Sequence, residues 1–359
     1  MINVTKTFLP PIEEYISILK RAWDNEWITN NGELVRELEQ QLKTFTNVNE
    51  LFYCTNGTIA LQIALKALDI KKQVITTPFS YVATVNAILW EGCKPIFVDI
   101  NKDTYCIDAD KIEAAITKET EAILATHVYG LPCDIEKIES IAKKHNLSVI
   151  YDSAHAFGCS YKGRSLLSYG DIATCSFHAT KLFHTVEGGC IIPKDKEIAD
   201  KILLYRSFGH ISDDYYSVGI NGKNSEFHAA MGLAILPKIV SIIAQRKKIV
   251  ELYDSILPKE VLRPVFKLRD FEYNYAYLPV IFQSESLMLK VKESLALNHI
   301  NARRYFYPSL NLVPQTSALK YSCPISESIS SRILCLPLYV GLKQDEIELI
   351  VDVIKKALQ

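Results

Sequence analysis

Between residues 33 and 193 the chain alternates two kinds of apolar pattern. Leu34, Leu38 and Leu42 recur one turn apart with charged residues between them, which predicts an amphipathic helix. Asn56-Gly57-Thr58 then opens IALQIALKAL, apolar nearly all round and so predicted as a buried helix. Short runs rich in β-branched residues follow: QVITTPF, PIFVDI, AILATHVYG, LSVIYDSAH, DIATCSFHA and GCIIP. Helical stretches such as DADKIEAAI and DIEKIESIAKKHN lie between several of them. Buried strands with helical crossovers predict a largely parallel sheet covered on both faces. After Pro237 the texture changes. KIVSIIAQRKKIVELYDSIL predicts a long helix, YNYAYLPVIF a Tyr-rich strand and LMLKVKESLALN a further helix. The chain ends in DEIELIVDVIKKALQ, where Ile347, Ile350, Val351, Ile354 and Leu358 make one apolar stripe. The expected fold class is therefore α/β: a large domain over residues 1–237, with a mixed, mostly parallel sheet between helices, and a smaller α/β domain over 238–359. No repeat or low-complexity segment interrupts this pattern.

Composition narrows the picture. The 359 residues are 48% hydrophobic and 23% charged, with a formal net charge of −1. That suits a globular protein with ample core and does not advertise nucleic acid or an anionic membrane as a partner. The N-terminus lacks the basic-then-apolar order of a signal peptide, and no apolar run is read as membrane-spanning, so a cytoplasmic location is expected. The nine cysteines are scattered singly through apolar segments and none forms a CxxC pair. They are expected to be buried and reduced, with no metal site.

Three places along the sheet carry candidate chemistry. At Thr55-Asn56-Gly57-Thr58, glycine permits close backbone approach, and the first amides of the helix are unpaired donors suited to a phosphate. Taken alone, the segment is more simply read as a capped helix end. In VIYDSAHAFG, strand character runs directly into Asp152, which puts a carboxylate at the ligand-binding edge of a parallel sheet. Either it caps the following turn or it meets a cationic partner, because an unpaired buried charge is very costly. A protonated pyridine nitrogen is one such partner. His155 lies three residues on. In SFHATKLFHTVEGG, Lys181 follows a strand ending near Ser176, and two glycines turn the chain into the next strand. A lysine held in a dry pocket has a depressed pKa and acts as nucleophile and base, whereas most lysines are simply solvated. A helix-start nest, a strand-end Asp and a strand-loop Lys in this order are far more specific together than any one of them.

This constellation, from WITNNG near the start to LPLYVGLKQDEIE near the end, resembles the DegT family of sugar-nucleotide aminotransferases. These are pyridoxal 5′-phosphate (PLP) enzymes of fold type I. The resemblance implies that Lys181 binds the cofactor covalently, that Asp152 holds its pyridine nitrogen and that His155, where the family often has Gln, contacts its ring hydroxyl. It also implies that Gly57, Thr58 and Ser176 take its phosphate. Over the ring face it implies an aromatic side chain, mapped to Tyr81, with Phe79 as the competing choice and core packing as the alternative for both. Asn221 would reach the phosphate in the neighbouring subunit, which implies a homodimer with shared active sites. Lys223 stands where the family often has Arg, and no charge-specific role is carried onto it.

Within that family, the combination of TTPFSYVAT, THVYGLPCD, SFHATKLFHTVEGG and RRYFYPSLN most resembles the members that aminate C4 of dTDP-4-keto-6-deoxy-D-glucose. The implied substrates are a nucleotide sugar and glutamate, and the implied destination of the product is a bacterial O-antigen. Thr29, Asn30, His184 and Tyr305 are the candidate substrate-facing residues, each equally a loop or packing residue. C3-aminating relatives and those producing the galacto epimer share the scaffold. A nucleotide-binding oxidoreductase would want G-x-G-x-x-G opening a helix, and none occurs. A non-catalytic scaffold of this fold would be free to lose Lys181 or Asp152, and both are present.

Overall fold

A computed structural model describes all 359 residues. Its centre is a seven-stranded sheet of β1 (Phe52–Cys54), β2 (Gln73–Thr76), β3 (Lys94–Phe97), β4 (Thr120–Thr126), β5 (Ser148–Asp152), β6 (Ile172–Ser176) and β7 (Gly189–Pro193). The spatial order is β1-β7-β6-β5-β4-β2-β3. Neighbours from β6 to β3 are parallel, and β7 runs antiparallel to both β6 and β1. The six apolar runs became strands as expected. β1 was not anticipated, because three residues are too few for a visible alternation.

Side-chain alternation divides the interior into two layers. Ala122, Leu124, Ile150 and Ile172 face the helix Gly57–Ala67, while Ile123, Ala125, Val149 and Ala173 face the opposite core. Counting on by twos, Asp152 and Ser176 continue the Ile150 and Ile172 rows. Their side chains therefore leave the sheet on the side of the helix start at Gly57. Register aligns Asp152 with Thr174 across the β5–β6 pair.

The C-terminal part is built on the antiparallel pair β8 (Pro279–Ile281) and β9 (Ile333–Cys335), packed by the helices Ile239–Ile256, Glu285–Leu297 and Gln344–Leu358. Two features cross the expected division at residue 237. Ile2–Asn3 pairs in parallel with Ile300–Asn301, so the extreme N-terminus is bound to the C-terminal part. The helix Glu226–Ile235 continues through one tight turn at Leu236–Lys238 into Ile239–Ile256. Contrary to the sequence reading, Glu226–Ile256 is long and apolar enough to cross a membrane, but 56% of its most apolar window is buried inside the protein. More than half of that window is thus taken up by intramolecular packing.

The Tyr-rich run is extended only over β8. Residues 273–277 form no ladder, because side chains take their carbonyls. Arg246 Nε and Nη2 donate to Tyr275 O (2.8 Å) and Ala276 O (2.7 Å), and the Tyr273 hydroxyl donates to Tyr277 O (3.1 Å). All nine cysteines are buried and free.

Candidate active site

Where β5 and β6 end, the sheet edge opens into a cavity of about 570 Å3 that also reaches the C-terminal part. One wall is the start of the helix Gly57–Ala67. Asn56 is its cap, its side-chain oxygen accepting from Ile59 N at 2.9 Å, which leaves the Gly57 and Thr58 amides without helical acceptors. A Cβ on Gly57 would lie 2.9 Å from Ser176 Cβ. Glycine is what lets the helix start approach the end of β6, so that two amides and the Thr58 and Ser176 hydroxyls converge on one spot. That cradle suits a phosphate.

Asp152 is buried, and its direct partners are uncharged: Thr84 Oγ1 donates to Oδ2 at 2.7 Å and Ala154 N to Oδ1 at 3.1 Å. Burial pushes its carboxyl above the usual carboxylate range, although both donors and the more distant Lys181 oppose the shift. A buried carboxylate facing a cavity without an ion pair fits a cationic ring nitrogen as its missing partner.

Lys181 Nζ donates to the Tyr277 hydroxyl at 3.2 Å. Burial lowers its pKa, as expected for a dry pocket. The Tyr277 hydroxyl and the negative charge of Asp152 outweigh that effect, and the amine is held above the ordinary lysine value. The expected depression is thus reversed by two specific partners.

His155 is buried, and its ring stacks on Phe306 with centroids 5.4 Å apart. Its Nδ1 accepts from Tyr129 N at 3.2 Å, which assigns the proton of the neutral ring to Nε2. Burial holds the imidazole well below its usual pKa, so it stays neutral and presents Nε2–H as a donor. Tyr81 lines the cavity and is 59% exposed. Phe79 is fully buried, edge-on to Tyr105, Tyr129 and Phe306, so of the two aromatics only Tyr81 can face a ligand.

The remaining candidates divide. Tyr305 lines the cavity. His184 does not: it is fully buried, Nδ1 accepts from Val186 N (3.2 Å) and Nε2 meets Phe8 O (2.7 Å). Nε2 ties the N-terminal segment to the Lys181 loop and Nδ1 is used within that loop, so the substrate-facing reading of His184 is corrected to a structural one. Thr29, Asn30 and Asn221 are exposed and lie outside this cavity. Glu226, five residues after Asn221, borders the segment that carries Thr29 and Asn30: its amide donates to Ile28 O at 3.0 Å, and its carboxylate caps Leu34 N at 2.7 Å. Lys223 Nζ donates to Asn221 Oδ1 at 3.0 Å.

Sequence reading missed Tyr277, Arg303 and the pair His178–Glu187 (3.5 Å), all of which line the cavity. Nothing near Tyr277 in sequence distinguishes it from the tyrosines around it.

A model of the DegT/DnrJ/EryC1/StrS aminotransferase family matches residues 12–355. The chain belongs to this family. Its sequence is 40% identical to the dTDP-4-amino-4,6-dideoxy-D-glucose transaminase of Shigella dysenteriae, covering 99% of this chain and 98% of that one. Among solved structures it is similar to DesI, crystallised in the presence of its TDP-sugar product, with a TM-score of 0.94 at 29% identity, covering 100% of this chain and 93% of the other. It is also similar to the PLP form of the sugar aminotransferase Spr1654 of Streptococcus pneumoniae (TM-score 0.90, 26% identity, 99% of both chains). The mixed sheet flanked by helices is therefore the fold of PLP-dependent sugar aminotransferases, and in this aminotransferase Lys181, Asp152 and the Gly57 cradle surround one cavity.

Proposed function

We propose that this aminotransferase moves the amino group of L-glutamate to C4 of dTDP-4-keto-6-deoxy-D-glucose, giving dTDP-4-amino-4,6-dideoxy-D-glucose, with PLP as cofactor. The observation that carries the chemistry is the convergence of an amine, an unpaired buried carboxylate and a phosphate cradle on one cavity. The choice of sugar leans on the Shigella relative.

In this reading Gly57, Thr58 and Ser176 hold the phosphate, Asp152 the ring nitrogen, His155 Nε2 the ring oxygen, and Tyr81 covers the ring face. Bound there, PLP supplies an electron sink for the charge that develops when the substrate carbon loses its proton. Lys181 Nζ carries that proton, and the Tyr277 hydroxyl keeps the amine in place when it is free. Residues 1–237 supply the cofactor side of the cavity, and 238–359 close it with Tyr277 and Tyr305.

The enzyme works in the cytoplasm as a homodimer with shared sites. A hairpin exposes Phe208, Ile211, Tyr215, Tyr216, Val218 and Ile220, a cluster of large apolar side chains of the kind that marks a subunit interface. Asn221 ends that hairpin. In this reading it serves, together with Thr29 and Asn30, the neighbour's cavity rather than its own.

The test is an absorbance spectrum of the purified protein with PLP. Glutamate should bleach the band of the bound cofactor, and dTDP-4-keto-6-deoxy-D-glucose should restore it. A band bleached but not restored by this sugar keeps the aminotransferase and replaces the acceptor, with C3-ketosugars or amination to the galacto epimer next to be tried. A protein that takes up no PLP overturns the reading.

The cradle makes its own prediction. Gly57→Ala forces the helix start away from Ser176 and should weaken PLP binding about tenfold, a loss of about 1.4 kcal/mol. Equilibrium dialysis against PLP measures it, and an unchanged affinity would remove the close approach from the account.

A further inference from the structure

Beside Asp152 lies a line of three buried hydroxyls, of which only Ser80 borders the cavity, that the reaction as described leaves without a task. Thr84 Oγ1 donates to Asp152 Oδ2 at 2.7 Å, Ser80 Oγ lies 2.8 Å from Thr84 Oγ1, and Thr126 Oγ1 donates to Ser80 Oγ at 3.0 Å. All three side chains are at most 2% exposed. They come from three elements: the loop after β2, the helix Val82–Trp90 and the last residue of β4.

The donor sense of this chain is tied to the charge on Asp152. An ionised carboxylate only accepts, so the single Thr84 proton points at it. Ser80 must then donate to Thr84, and Thr126 to Ser80. Every donor is matched, and the chain ends on a spare lone pair of Thr126, which costs little. If Asp152 is protonated and donates to Thr84 instead, each hydroxyl turns round. Thr126 is left with a buried O–H, and Ser80 is its one hydrogen-bond partner in the fold. A buried donor without an acceptor is the expensive kind of mismatch. The three dipoles also reinforce one another along the line, and the end at the carboxylate is charge-assisted.

We infer that Thr126, Ser80 and Thr84 form a one-way hydroxyl relay that keeps Asp152 ionised and aimed at the ring nitrogen of the cofactor. The inference rests on the PLP reading above. These are positioning residues that act through Asp152. Burial alone drives the carboxyl toward its neutral form, and the relay opposes that before any cationic ring is present. The other titratable groups facing Asp152 do not change charge in the range concerned. Lys181, from the loop after β6, is held in its cationic form, and burial holds the His155 ring neutral. The Cys175 thiol on β6 is pushed up to about 12 by burial.

The experiment measures the PLP dissociation constant by absorbance titration from acid to neutral pH, without substrates. Wild type is compared with Thr84→Val, Thr84→Ser and Ser80→Ala at each pH, so that ionisation of PLP itself cancels. In wild type, affinity is lost as pH falls through the Asp152 pKa. Valine keeps the shape of threonine and removes the donor. Thr84→Val should lose that affinity about one pH unit higher and bind about tenfold more weakly in the affected range. Ser80→Ala should shift the profile the same way by less, and Thr84→Ser should return it to wild type. Superimposable profiles for Thr84→Val and wild type overturn the relay. So does a Thr84→Val protein that binds more weakly at every pH with no shift, which is the mark of a purely packing role. If Thr84→Val does not fold, Ser80→Ala decides alone, and an unshifted profile overturns the proposal. Wild type that takes up no PLP defeats the functional reading itself, which is a different result.

Discussion

Replacing Lys181 with alanine should abolish transamination, lowering turnover by at least about 10⁴-fold, because in the proposed function one amine both attaches the cofactor and moves the proton. The fold should survive. The Nζ atom faces a cavity, and the Tyr277 hydroxyl left behind can be hydrated there. Lys181→Arg keeps the positive charge near Asp152 and should be equally inactive, which separates the chemistry of the amine from its electrostatics. Steady-state assay with glutamate and the ketosugar checks both variants, with the spectrum reporting whether PLP is still held. Turnover within tenfold of wild type in either protein would remove Lys181 from the centre of the reaction.

Asp152→Asn carries the second large effect, and it should part activity from stability. Asparagine keeps the volume but has one acceptor oxygen where Asp152 accepts from both Thr84 and Ala154. One of those donors meets an amide NH2, and the charge that the proposed function sets opposite the ring nitrogen is gone. Turnover should fall by about 10²- to 10³-fold, the scale of losing one preorganised electrostatic contact. In the cofactor-free protein the effect on stability has the opposite sign. Burial raises the folded-state pKa of Asp152 above its unfolded value of about 4. The wild-type protein is therefore progressively destabilised by this group as pH rises from about 4 through the raised value, and the penalty persists above it. Asparagine has no such penalty. Cofactor-free Asp152→Asn should match or exceed wild type in Tm at neutral pH while remaining nearly inactive. A Tm well below wild type would mean that the carboxylate is a net structural asset and that its partners more than offset its burial.

Much of the sheet and the heart of the site were legible in the chain, for reasons that individual residues make plain. Six β-branched runs separated by helical spacing announced a covered parallel sheet. Local pattern put Asp152 at a strand end, Lys181 in the loop after a strand and Gly57 at a helix start, and it left capping and solvation open for them until the family resemblance singled them out. Other residues were misread or missed for lack of any local signal. His184 lies beside the lysine segment, where local pattern leaves substrate contact and packing equally open, and the atom that decides for packing is the carbonyl of Phe8, 176 positions away. Tyr277 comes to Lys181 across 96 positions. Residues 273–277 read as a strand, but Arg246 and Tyr273 capture the carbonyls that a ladder would need.

What the sequence by itself determined is therefore the set of things governed by neighbours in the chain: element type, the faces each strand presents, and residues delivered at strand and helix ends. Tertiary structure decided the things governed by encounters between distant segments. It put Tyr81 at the cavity and Phe79 in the core, set the tautomer of His155 through Tyr129 N, reversed the expected pKa shift of Lys181 through Tyr277 and Asp152, and lined up Thr126, Ser80 and Thr84 beside the carboxylate. Periodicity is a short-range property of a chain, whereas burial, hydrogen-bond pairing and electrostatic environment exist only once remote segments have packed together.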